Sequence, residues 1–210
     1  MKRVRVKICG VTTAEAAGSA AACGADAVGF VFYDGSPRSL DARRASALAR
    51  DLPPFVTPVA VFHHPRPVDV EEVLAALRRC VVQAEPAEAI VRLLDGKAVL
   101  LPVFHDGADL SRQIGALAAR GLAIGTVLLE ASGRGGRGAV PDWARAESLA
   151  RERRLVLAGG LTPENVADAI RRVRPWGVDV SSGVESAPGV KDPERIARFL
   201  AAVRRAEDDP

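Results

Sequence analysis

"LVLAGGLTPENVADAIRRVRPWGVDVSS", Leu155 to Ser182, is the stretch on which the fold turns. It opens on an apolar run, "LVLAG", that stops at glycine. A pattern of period 3.6 follows in "TPENVADAIRRV", with Thr162-Pro163 as a helix-start signal. A second apolar run, "GVDVSS", closes it. Short apolar runs bounded by turn residues read as strands, and the segment between them reads as an amphipathic helix. Strand, helix, strand in that order demands parallel strands joined by a right-handed crossover.

The same alternation extends in both directions. Upstream, "RVRVKI" is a strand and "TTAEAAGSAAACG" an alanine-rich helix. "DAVGFVF" precedes "DARRASALARDL", "VTPVAVF" precedes "DVEEVLAALRR", and "CVVQ" precedes "EPAEAIVRLL". "AVLLPVF" precedes "ADLSRQIGALAARG", and "AIGTVLLE" precedes "PDWARAESLARERR". Downstream, "DPERIARFLAAVRR" closes the chain, started by Asp192-Pro193. Eight strand–helix units in 210 residues predict a single-domain α/β protein, a (β/α)8 TIM barrel over residues 1–206 with a frayed tail at 207–210. A doubly wound open sheet is the alternative, but it rarely uses eight uninterrupted units.

Composition narrows the function. Hydrophobic residues make up 48% and charged residues 26%, as in ordinary soluble globular proteins. A net charge of +3 suits anionic small molecules and is too weak to argue for nucleic acid. No apolar run reaches the roughly 18 residues of a membrane span, and "MKRVRVKICG" is not a signal peptide. The three cysteines, Cys9, Cys23 and Cys80, form no CxxC and fit a reducing cytoplasm. His63, His64 and His105 show no partners at metal spacing, and on a strand end the adjacent pair would point to opposite faces. The expectation is a cytoplasmic protein with no metal and no membrane or nucleic-acid partner, either monomeric or homodimeric.

In such a barrel chemistry belongs at the C-terminal ends of the strands. Cys9 ends the first strand, Arg38 lies in the loop after the second, and Glu130 ends the sixth. "GGLTPEN" follows the seventh and "SSGVESAPGVKDP" the eighth. Glycines let backbone N–H groups approach an anion, and two such loops side by side favour a phosphate. Strand alternation puts Lys7 on the face of Cys9, where an ammonium would lower the thiol pKa. Cys23 and Cys80 read as small buried hydrophobes.

The segments "KICG", "DAVGFVFYDGSPRSL", "LPPFV", "LVLAGGLTPENVADAIRRVRPWGVDVSSGVE" and "SAPGVKDPERI" resemble phosphoribosylanthranilate isomerase, an enzyme family of tryptophan biosynthesis. The resemblance runs from about Val4 to Val203 and is most specific in the C-terminal third. It implies a (β/α)8 barrel and an Amadori rearrangement of N-(5-phosphoribosyl)anthranilate to 1-(2-carboxyphenylamino)-1-deoxyribulose 5-phosphate, without cofactor or metal. The family's catalytic base then falls on Cys9. Its acid, an aspartate ending strand six, falls on Glu130. Its carboxylate-binding arginine falls on Arg38, its phosphate loops on Gly159, Gly160, Ser182 and Gly183, and its aspartate in "VDVSSG" on Asp179. Two departures stand out: the acid is one methylene longer, and the family's "VQLHG" loop is cut short, Gln83 running directly into "AEPAE".

"GRGGRG", Gly133 to Gly138, contains G-x-G-x-x-G. A dinucleotide fingerprint must open its helix directly, and here Ala139-Val140-Pro141 intervene. RGG segments that bind RNA are long, repeated and disordered, unlike one short loop. A lid over the site is the remaining reading. Arg134 and Arg137 either attract an anionic substrate or are simply solvated. Two rivals to the isomerase remain: a histidine-pathway phosphoribosyl isomerase, disfavoured by Cys9, and a non-catalytic phosphosugar-binding relative.

Overall fold

The computed structural model describes residues 3–119, 125–131 and 140–208. The expected lid and its Arg134 and Arg137 lie outside the described residues. Eight parallel strands close into a barrel in chain order: β1 (Arg5–Cys9), β2 (Ala27–Val31), β3 (Thr57–Val61), β4 (Val81–Ala84), β5 (Val99–His105), β6 (Thr126–Glu130), β7 (Arg154–Leu157) and β8 (Gly177–Val180). The helices between and after them are α1 (Ala14–Ala22), α2 (Ala42–Arg50), α3 (Pro67–Ala76), α4 (Glu88–Leu94), α5 (Leu110–Ala119), α6 (Trp143–Glu152), α7 (Val166–Val173) and α8 (Pro193–Asp208). A small hairpin, β9 (Glu185–Ala187) with β10 (Val190–Lys191), follows β8.

The period-2 alternation of each strand sorts its side chains into two shells. Val6, Ile8, Val28, Phe30, Ala60, Val82, Leu129, Leu155, Leu157 and Val178 face outward into the core shared with the helices. Val103, Leu128, Val156 and Ala158 form a smaller cluster inside the barrel. That interior shell is what carries Lys7, Cys9, Gln83, Glu130 and Asp179 inward. Burying one fully enclosed Leu or Ile of the outer shell contributes about 1.5–3 kcal/mol, so the barrel stands on the outward residues and leaves the inward ones free for chemistry.

On α7, Val166, Ala169, Ile170 and Val173 are buried, a spacing of i, i+3, i+4, i+7 that matches the pattern in the sequence. The helix starts later than Thr162-Pro163 suggests. Asn165 accepts from the Thr162 N–H (2.8 Å) and donates to the Gly160 carbonyl (2.9 Å), which holds residues 162–165 in a turn. Arg174 ends the helix in the left-handed region at φ 52°, just before Pro175. At the C-terminus α8 continues through Asp208, past the expected start of the frayed tail. Glu207 accepts from the Val4 N–H and sits 3.0 Å from Arg204 Nη1, which ties this turn to the chain start.

Candidate active site

Cys9 and Lys7 both project into the barrel from β1, and β2 makes room for them with a glycine. A Cβ on Gly29 would fall 3.1 Å from Cys9 Sγ and 3.1 Å from Lys7 Nζ. Lys7 pairs in register with Asp179 of β8 and donates to its Oδ1 at 2.8 Å, both side chains buried. Burial alone would push the Lys7 ammonium down, but Asp179, helped by Cys9, more than offsets it and holds the pKa above its ordinary value. Lys7 does pull the Cys9 pKa down, as expected, but the thiol still ends above its ordinary value. Burial pushes the thiol up, Asp179 pushes further, and Lys7 pulls back only in part because its charge is matched by the carboxylate it touches.

Glu130 ends β6, three strands from β1 around the barrel by way of β7 and β8. Burial raises its pKa above 4.5, and Asp179 adds to the rise while His105 and Lys7 oppose it. Cys9 and Glu130 line one cavity of about 270 Å³ at the C-terminal ends of the strands, together with Arg38, Gln83, Asp179 and Ser181. The thiol and the carboxyl therefore address the same space from different sides. A second cavity, about 380 Å³, opens at the opposite end among strand starts such as Val99 and Thr126; it contains neither of these groups.

Arg38 is held tightly at the rim. Its stem lies over Gly10, whose φ is +74° and where a Cβ would fall 2.4 Å from Arg38 Cδ. Its fork meets Glu185 with Nε to Oε1 at 2.7 Å and Nη2 to Oε2 at 2.6 Å. Two of its donors are thus occupied within the chain, and the Nη1 side is turned away from Glu185. Lys191 clamps Glu185 from behind (2.6 Å) and also donates to the Ser181 carbonyl (3.0 Å). The Lys191 side chain is fully buried and Glu185 nearly so. Removing one partner of such a buried pair costs about 3–5 kcal/mol because the other charge is stranded. Glu185→Gln is therefore expected to lose about 3 kcal/mol in urea unfolding, whereas an unchanged midpoint would show that the clamp contributes nothing.

The loops after β7 and β8 touch each other. Gly159 and Gly160 have φ of +88° and +60°, left-handed values that other residues rarely adopt. Ser182 and Gly183 begin a single 3-10 turn, Ser182–Val184, whose first N–H groups have no partner inside it. A Cβ on Gly183 would lie 1.9 Å from the Leu161 carbonyl oxygen. Only glycine allows this approach, which sets the two glycine loops side by side.

The model of the N-(5'-phosphoribosyl)anthranilate (PRA) isomerase family matches residues 6–202. The chain belongs to the phosphoribosylanthranilate isomerase family. The isomerase of Halorhodospira halophila is 44% identical to it over 209 residues, covering 98% of this chain and 99% of the relative. Among solved structures, the phosphoribosylanthranilate isomerase of Thermotoga maritima superposes with a TM-score of 0.82 at 37% identity, covering 96% of this chain and 99% of the other. Another structure of the family, solved with reduced 1-(o-carboxyphenylamino)-1-deoxyribulose 5-phosphate, gives a TM-score of 0.81 at 36% identity, with 96% and 99% covered.

Within this phosphoribosylanthranilate isomerase barrel, two features escaped the sequence. Gln83 is buried on β4, and its Oε1 has no hydrogen-bond partner among the described residues. The residue lines the cavity. The second is Glu85, which follows β4 directly. Its Oε1 lies 2.8 Å from His63 Nδ1 and 3.8 Å from His105 Nε2, and its Oε2 accepts from the His64 backbone N–H at 2.7 Å. This carboxylate, despite the opposing effect of its own burial, is held low, at about 2. The expectation that His63 and His64 diverge is corrected: His64 sits at φ 46°, in the left-handed region, and the two rings lie 4.5 Å apart. The available signal was a carboxylate at a strand end, the same one that marked Glu130.

Proposed function

We propose that this chain catalyses the Amadori rearrangement of N-(5-phosphoribosyl)anthranilate, with Cys9 as general base and Glu130 as general acid. The observation that carries the reading is that a thiol and a carboxyl face one cavity from separate strands, beside Arg38 and Ser181. Glu130 gives a proton to the furanose ring oxygen, the C1′–O bond breaks, and a protonated Schiff base forms. The Cys9 thiolate takes the C2′ proton, and the electron pair moves toward the iminium nitrogen to give an enolamine. Loss of the C2′ hydroxyl proton and protonation at C1′ then yield the ketone.

The other residues bind and orient. The Nη1 side of Arg38 meets the anthranilate carboxylate, while Glu185 fixes the guanidinium plane. The backbone N–H groups of Gly159, Gly160, Ser182 and Gly183 hold the phosphate. Gln83 accepts from the substrate's amine or a sugar hydroxyl. Lys7 and Asp179 hold the floor under Cys9 rigid. No cofactor or metal takes part in these steps. Among the described residues no helix is long and apolar enough to cross a membrane. The three free thiols support a reducing compartment, the cytoplasm.

The pH profile tests the assignment. The reacting form carries its one proton on Glu130, with Cys9 ionised. Below the Glu130 pKa both groups are protonated and the base is lost; above the Cys9 pKa neither holds a proton and the acid is lost. Both values are raised, above 4.5 for Glu130 and above 9.0 for Cys9. Between them the pair holds one proton, mostly on sulfur, so a small and constant fraction reacts. We expect kcat/KM to rise through the first value and fall above the second. In Glu130→Gln the remaining rate is expected to fall about 10²–10⁴-fold and to rise with pH where the wild type declines. The same bell in wild type and variant would remove Glu130 from the mechanism.

A further inference from the structure

We propose that His63, His64 and Glu85 form a binding site for a zinc-like divalent cation on the wall of the substrate cavity. One ligand atom from each, an imidazole nitrogen or a carboxylate oxygen, lies within 4.8 Å of the others. The three come from the ends of β3 and β4, adjacent strands of the barrel. Two histidines and one carboxylate, with the fourth position open to water, is a donor set that suits zinc.

Several features preorganise this set. Glu85 has its two oxygens directed to different histidines, Oε1 to His63 Nδ1 at 2.8 Å and Oε2 to His64 Nδ1 at 3.8 Å. Zinc–ligand bonds of about 2.0–2.2 Å in a tetrahedron place donor atoms roughly 3.3 Å apart. With one ligand atom from each residue, the three lie up to 4.8 Å apart, so the set must draw together by side-chain rotation. The ring of Tyr33 packs edge-on against His63 at 5.2 Å and fixes its tilt. His64 is the decisive residue. A left-handed backbone at a non-glycine position is strained, and here it turns the second imidazole to the side of the first. A cation replaces the proton between His63 Nδ1 and Glu85 Oε1, and the exposed side of His64 leaves room for water.

The site borders the chemistry. His63 and Glu85 line the same cavity as Cys9 and Glu130. An occupied site therefore narrows this cavity and slows turnover. That consequence rests on the isomerase reading, whereas the binding itself does not.

Calorimetric titration of ZnCl2 into the EDTA-treated and dialysed full chain is the test. We expect one ion per chain, with affinity at least about ten-fold weaker in His64→Ala and in Glu85→Gln and unchanged in Cys9→Ala. Circular dichroism of the variants confirms their fold. In the turnover assay, zinc at the same concentrations is expected to inhibit the wild type and not His64→Ala. Absence of saturable binding, or binding unaffected by both substitutions, overturns the site. Binding that depends on Cys9 places the ion on the thiol and also overturns it. Binding as expected without inhibition overturns the link to the cavity.

Discussion

Cys9→Ala is expected to lower kcat by about three orders of magnitude, within the 10²–10⁴ range typical of a positioned general base, and to change KM by no more than a few-fold. The thiol removes the C2′ proton and makes no binding contact that the reaction scheme requires, so its loss falls on the chemical step. Cys9→Ser is expected to be nearly as slow, because a hydroxyl at the same place ionises far less than a thiol. The substitution leaves only a small void against Gly29, and the Lys7–Asp179 pair beneath it remains intact. Steady-state kinetics at several pH values checks this. A kcat within about ten-fold of the wild type would exclude sulfur as the base.

Gly183→Ala is expected to raise KM for the phosphorylated substrate by roughly 10²-fold while lowering kcat much less. The added Cβ would lie 1.9 Å from the Leu161 carbonyl oxygen; it is fixed to the main chain and its partner is backbone, so neither can swing aside. The loops after β7 and β8 must separate by more than 1 Å to reach ordinary contact. Hydrogen bonds to a charged group are worth about 1.5–3 kcal/mol each, and loss of one or two gives the stated factor. Inorganic phosphate as a competitive inhibitor provides a second readout, since its affinity should fall in parallel. An unchanged KM would mean that the glycine loops do not hold the phosphate.

The parts of this protein that were legible in the sequence are those set by local periodicity. Val166, Ala169, Ile170 and Val173 announce a helix face at once, and they do face the core. Strand alternation correctly placed Lys7 beside Cys9 and brought Glu130 to a strand end. Relations between distant segments leave no such trace. Arg38 and Glu185 are 147 residues apart in the chain, and nothing local to either names the other. The direction of the Cys9 pKa shift is set first by burial, with Asp179 adding to the rise, and neither is visible in the local sequence that places Lys7 beside Cys9. The left-handed turn at His64 was equally hidden, since the strand rule predicts diverging side chains.

One experiment tests whether two groups, Cys9 and Glu130, act together on phosphoribosylanthranilate. Loss of substrate fluorescence, with substrate generated in situ, would be followed for the wild type beside Cys9→Ala and Glu130→Gln. Turnover by the wild type is expected, with a fall of at least about 10² in each variant and substrate binding retained in both. A wild type that binds product but leaves substrate unchanged, or a Glu130→Gln variant as fast as the wild type, would contradict this two-group mechanism.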